Sequence, residues 1–181
     1  MARVRFASHR ARFTQKFRAI DSTRHDARGF AVSRATPELR EFARRLIKFE
    51  AKGKKSRQTQ LPIMALINED LCPHLSNIMG NAGFRALLSR SVALAQTELP
   101  WLSTVQVNAD CTLDGLNELH AQVGPHDFFD GSVVLLAQLV GLLVAFIGES
   151  LTLRMIGELW PKLSMADLEI SRKGKKYEKT A

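Results

Sequence analysis

Residues 133–147 read VVLLAQLVGLLVAFI, and Gln138 is the only strongly polar side chain among them. A run this dense in aliphatic residues is expected to be enclosed, in protein or in lipid. Protein is the expected surround. A spanning helix needs about 20 apolar residues to cross roughly 30 Å of hydrocarbon, whereas residues 132–148 supply 17 with a glutamine inside. At a rise of about 1.5 Å per residue that is roughly 25 Å. Asp127 and Asp130 precede the run, Glu149 follows it, and the nearest downstream cation is Arg154, so interfacial Lys/Arg anchors are missing. Past Glu149 the pattern turns amphipathic, with Leu151, Met155, Ile156 and Leu159 opposite Ser150, Arg154 and Glu158. Residues 132–160 are thus expected to be the central helix of a bundle. Ala137, Gly141, Ala145 and Gly148 add a stripe of small residues, a helix-packing candidate that lets a neighbouring backbone approach.

Charge divides the chain in three. Residues 1–60 carry a net +12, residues 61–170 a net −8 and residues 171–181 a net +4, within the overall +8. Apolar residues concentrate in the acidic part. The expected organisation is a basic arm over 1–35, a helix and basic hinge over 36–60, an acidic helical domain over 61–170 and a basic tail over 171–181. The first twenty residues hold six basic and no acidic side chains but lack the apolar core of a secretory leader. They would pass for an organellar transit peptide, and Phe6, Phe13, Phe17 and Ile20 share a helical face that also fits a basic amphipathic helix on a membrane surface or an acidic partner, but a loosely ordered arm is the leading expectation. Cys72 and Cys111 have no CxxC spacing, so a reducing, cytoplasmic setting is the expectation.

Helix signals recur along the chain. Thr36 is an N-cap, Pro37 suits the first helical position, and Glu38 and Glu41 favour the positive end of the dipole. Leu39, Phe42, Leu46 and Phe49 give this helix its apolar face. Residues 61–79 repeat apolar positions at Met64, Ile67, Leu71, Leu75 and Ile78, with a kink or break expected near Cys72 because Pro73 removes a backbone bond. The GNAG sequence at 80–83 ends this helix and starts another, with Phe84, Leu87, Leu88, Ala95 and Leu99 inward and Arg85, Ser89 and Gln96 outward. Pro100 stops it, and Trp101 is expected to cap the core. Residues 104–107, TVQV, have strand character but no partner strand, so they read as an extended connection. A short helix through Leu113, Leu116, Leu119 and Val123, capped by Asp110 or Thr112, precedes Gly124 and Pro125. The fold class predicted is all-α, a compact bundle of four to five helices.

Two stretches, GFRALLSRSVALA at 83–95 and GLLVAFIGESLTLRMIGELWP at 141–161, resemble an all-helical bacterial domain of no assigned activity. The likeness spans residues 61–165. Its motifs are packing motifs, so it implies a fold and no catalytic or binding residue.

Chemistry is thinly signalled. Asp70 and His74 are one turn apart, as an acid/base pair requires, but such pairs are usually solvated neighbours. His120, His126, Asp127 and Asp130 form the densest set of metal-ligand types without a ligand spacing, and they suit the tip of a loop capping the central helix. Gln138 and Glu149 are three turns apart on an apolar helix, so Glu149 must find a partner, stay at the rim or protonate. It either marks where the helix leaves the core, meeting Arg85, Arg90 or Arg154, or belongs to a polar spot in a pocket. No phosphate loop, nucleophile triad or zinc pattern occurs, so neither a catalytic role, a cofactor nor a metal is expected. The expected function is a non-enzymatic interaction or regulatory module that binds a protein partner or itself. Nucleic-acid binding through residues 1–60 and 171–181 is the second reading, and membrane association by the central helix the third.

Overall fold

The first described helix starts as its cap chemistry dictates: the Leu39 N–H donates to Thr36 Oγ1 at 3.3 Å, and Pro37 occupies the first turn. The Glu38 carboxyl, held by its own main-chain N–H and by the Thr36 hydroxyl, lies below the usual glutamate range. The computed structural model describes residues 35–54 and 62–163. The arm and linker before residue 35, the end of the hinge and the basic tail lie outside the described residues.

Among the described residues five helices follow one another, α1 (Pro37–Lys54), α2 (Ile63–Glu98), α3 (Leu116–Gln122), α4 (Pro125–Ile147) and α5 (Glu149–Leu159). The fold is all-α, with α4 at its centre. Every residue from 131 to 140 is buried, so protein surrounds this part of the apolar run on all sides. Leu135, Leu136, Leu139 and Leu143 are among the largest fully enclosed side chains. Helices α1 and α2 supply most of that enclosure, and α5 folds back on α4.

Helix α1 runs antiparallel to α4. Leu39 lies against Gly141, where an added Cβ would come within 3.2 Å of its Cδ1, while Arg44 reaches Asp130 at 3.3 Å and stacks over the Phe129 ring. The expected inward set Leu39, Phe42 and Leu46 is buried, joined by Ala43 and Ile47. Helix α1 therefore packs in the same body as the helices after residue 62.

Glycines place both breaks. In α2 the backbone stays helical through Pro73, which faces solvent, and leaves the helix only at Gly80. On the solvent side the carbonyl freed by a proline finds water, so the helix need not stop there. The expected single helix over 132–160 is instead two, because Gly148 adopts φ 85°, ψ 156° between α4 and α5. Gly80 has nearly the same geometry, φ 75°, ψ 158°, in a region that only glycine enters without strain.

Pro100 ends α2 and opens a 3₁₀ turn, Pro100–Thr104. The Trp101 ring closes one end of the core by covering Gly131: a Cβ there would lie 2.3 Å from the ring. The expected extended connection is one half of a small antiparallel hairpin, β1 (Gln106–Val107) with β2 (Leu113–Asp114), register Gln106 to Asp114 and Val107 to Leu113. Leu113 is thus in a strand, and α3 begins after Gly115, whose left-handed φ of 84° brings its backbone against the Thr104 carbonyl.

Candidate functional site: a buried polar junction and a thiol cluster

The first polar cluster joins three helices. Gln138, 3% exposed in the middle of α4, donates through Nε2 to Glu98 Oε1 at 2.5 Å. Glu98 Oε2 accepts from an Arg40 guanidinium nitrogen, and Arg40 Nε donates to the Ala35 carbonyl at 3.2 Å. A glutamine in an aliphatic helix thus finds a carboxylate at the end of α2, and a cation on α1 balances the charge, as burial demands. Both carboxylate oxygens are engaged. Chemically the arrangement orients three helices.

Trp160, just after α5, makes a similar tie by donating from Nε1 to the buried Glu50 carboxylate of α1. Gln96 satisfies the 3₁₀ turn by donating to the carbonyls of Leu102 at 3.2 Å and Val105 at 3.1 Å.

The second cluster lies where the hairpin loop meets α2. Asn68 Nδ2 donates to the Cys111 carbonyl at 2.6 Å, and one turn later Cys72 Sγ lies 3.9 Å from the Asp110 carbonyl. Asn68 Oδ1 is buried with no hydrogen-bond partner among the described residues. Cys111 is 1% exposed and its Sγ lies 3.6 Å from the Asn81 carbonyl, directly after the Gly80 break. Burial pushes the Cys111 thiol up, and the adjoining Cys72 thiol adds to the shift. The loop itself is set by Asp110, whose carboxylate accepts from the Thr112 hydroxyl at 2.7 Å and the Thr112 N–H at 3.1 Å. Those two bonds hold it below the usual aspartate range.

The residues singled out from sequence are dispersed. His74 is exposed, and its Nδ1 lies 3.2 Å from the main-chain oxygen of the half-buried Asp70. Gln138 is a buried polar point within the apolar run of α4, but the Gly148 break puts Glu149 on a different helix, half-buried in the first turn of α5. Arg154 pairs with Glu158 at 3.0 Å. Of the small-residue stripe, Ala137 is fully buried and Gly141 receives Leu39, whereas Ala145 is exposed and Gly148 ends the helix. His126, Asp127 and Asp130 open α4, with His126 Nδ1 3.4 Å from Asp130 Oδ2, and His120 packs edge-on against Phe128. Among the described residues no three His, Cys, Asp or Glu side chains gather as a metal site.

Sequence reasoning missed Glu98 and the meeting of the two cysteines. Glu98, two residues before Pro100 at a helix end, has the spacing of an ordinary surface acid. The cysteines meet only because the hairpin folds back on α2.

Fold and clusters together define an all-α body around one apolar helix enclosed over residues 131–140, with internal polar ties. The chain matches no protein-family model, no curated protein and no solved structure.

Proposed function

We propose that this chain is a non-enzymatic interaction module that binds a partner protein at the corner between α4 and α5. The observation that supports this reading is the apolar exposure at that corner. Phe146 is 77% exposed and Leu151 42% exposed, flanking the Gly148 break. Ala145 is exposed beside them, and Val144 and Ile147 are half-buried. Adjacent apolar side chains left in water are a common mark of a protein contact. Glu149 lies at the rim, and residues 61–170 carry a net −8, so the fitting partner presents an apolar anchor flanked by cations.

The test is affinity capture from the cells that make the protein, comparing the natural chain with Phe146→Asp. A defined protein retained by the first and lost with the second is the expected result. Equal retention by both refutes the corner as the docking surface. Sedimentation across a concentration series separates a foreign partner from a second copy.

A second reading, nucleic-acid binding, is favoured by the 17 Lys/Arg in residues 1–60, nine of them in the arm before residue 35. Its test must spare α1. Removing residues 1–34, which carry nine of those cations, should weaken retention on nucleic acid at low salt and flatten its salt dependence, and unchanged retention rejects the arm as a binding element.

A further inference from the structure

Two thiols 39 positions apart in sequence are brought into one cluster by the hairpin, Cys72 Sγ touching the residue that precedes Cys111. Asn68 and Cys72, one turn apart on α2, hold the two peptide units on either side of Cys111: Asn68 donates to the Cys111 carbonyl at 2.6 Å and Cys72 Sγ lies 3.9 Å from the Asp110 carbonyl. Cys111 is also the one non-glycine residue with positive φ among those described, at 66°. Such a backbone is uncommon for a residue bearing a Cβ, and here it turns the side chain inward toward α2. Exposure is unequal, since Cys72 is half-buried and Cys111 buried.

We propose that Cys72 and Cys111 form a reversible disulfide that fastens the hairpin to α2, with Cys72 the attacking thiol and Cys111 the resolving one. The oxidant is a low-molecular-weight disulfide such as that of glutathione. The Cys72 thiolate attacks one sulfur of the small disulfide, forming a mixed disulfide and releasing one small thiol after proton uptake. The Cys111 sulfur then gives its proton to water and attacks Cys72 Sγ, releasing the second small thiol. Two protein thiols are oxidised to one disulfide while one small disulfide is reduced to two thiols. The bridge also removes the Cys111 S–H from the Asn81 carbonyl, so the redox state is felt at the Gly80 break.

The test uses the full chain, reduced and then equilibrated with glutathione disulfide, followed by intact mass, free-thiol count and peptide mapping. The expected product is a monomer without free thiols that yields one linked pair of peptides containing Cys72 and Cys111. Closing a loop of this length should raise the melting temperature by about 10 °C over the reduced chain. Cys111→Ser should accumulate a stable glutathione adduct at Cys72, and Cys72→Ser should leave Cys111 unmodified. A persistent adduct on the natural chain, a disulfide-linked dimer, two unreacted thiols, or a bridged chain that melts below the reduced one overturns the proposal. The natural chain alone decides the matter, whether or not either variant folds.

Discussion

If the junction among Arg40, Glu98 and Gln138 orients three helices, its members must be energetically coupled. Replacing Glu98 by alanine leaves the Gln138 amide, 3% exposed, without its acceptor. A hydrogen bond to a charged group is worth about 1.5–3 kcal/mol. The Arg40 side chain is 34% exposed and that of Glu98 13%, so after solvent screening their ion pair adds only about 0–1 kcal/mol. Glu98→Ala should therefore cost roughly 2–4 kcal/mol, a fall in melting temperature of roughly 5–15 °C. Gln138→Leu should cost about 1–2 kcal/mol alone, because Glu98 keeps Arg40 and leucine fits the apolar surround. In the Glu98→Ala background it should cost nothing, since the orphaned amide has gone. Urea unfolding of the four species, followed by tryptophan fluorescence, gives the coupling, expected to be about 1 kcal/mol or more. Additivity within about 0.5 kcal/mol would refute a junction acting as a unit.

Gly148→Ala should destabilise by about 1–3 kcal/mol through its φ of 85°, although nothing lies within 4 Å of the new methyl group. Gly53→Ala, equally open and inside α1, should stabilise by about 0.4–1 kcal/mol, and thermal melts of the pair separate conformation from crowding. Gly131→Ala gains helix propensity but drives a methyl into the Trp101 ring, so a net loss of about 1–3 kcal/mol is expected with a shifted tryptophan emission. Asp110 has a folded pKa below its unfolded value, so its contribution is complete above the unfolded value and is lost as pH falls through the folded one. The Thr112 amide resonance should hold steady from neutral pH down to the usual aspartate range and move only below it, and Asp110→Asn should abolish that movement.

What could be read from the sequence was local. The Thr36 cap, the GNAG break and the inward sets of α1 and α2 follow from rules acting within a few residues. Where competing local signals met, the weaker-looking one prevailed: Pro73 faces water and is tolerated, while Gly148, which the spacing makes a packing residue, turns the chain. Ile78 continues the apolar period of α2, yet is 45% exposed two residues before Gly80, because the break ends the face on which the period depends. The long-range features were not legible. Trp160 to Glu50, Gln138 to Glu98 and Cys72 to Cys111 each join residues whose meeting depends on how whole helices cross, and no spacing rule encodes that.

The enclosed and open parts of α4 set a limit on what the corner at Phe146 can do. Fully burying a phenylalanine or leucine side chain is worth about 1.5–3 kcal/mol. Covering the exposed 77% of Phe146 and 42% of Leu151 would contribute roughly 2–3 kcal/mol, or about 30–150-fold in affinity. A stable interface buries about 800 Å² per partner, so these two side chains would be its centre, with contacts around the acidic rim supplying the remainder. Two consequences separate this reading from general stickiness. Phe146→Ala should weaken binding of the captured partner by about 10-fold or more, while unfolding free energy changes by less than about 0.5 kcal/mol because the side chain is exposed. Ile78→Ala, which removes an exposed apolar residue on α2 instead, should leave affinity within about 3-fold of the natural chain. Titration calorimetry of both variants decides the matter: equal losses would mean the partner reads exposed hydrophobicity anywhere, and a loss confined to Ile78→Ala would move the docking surface off the α4–α5 corner.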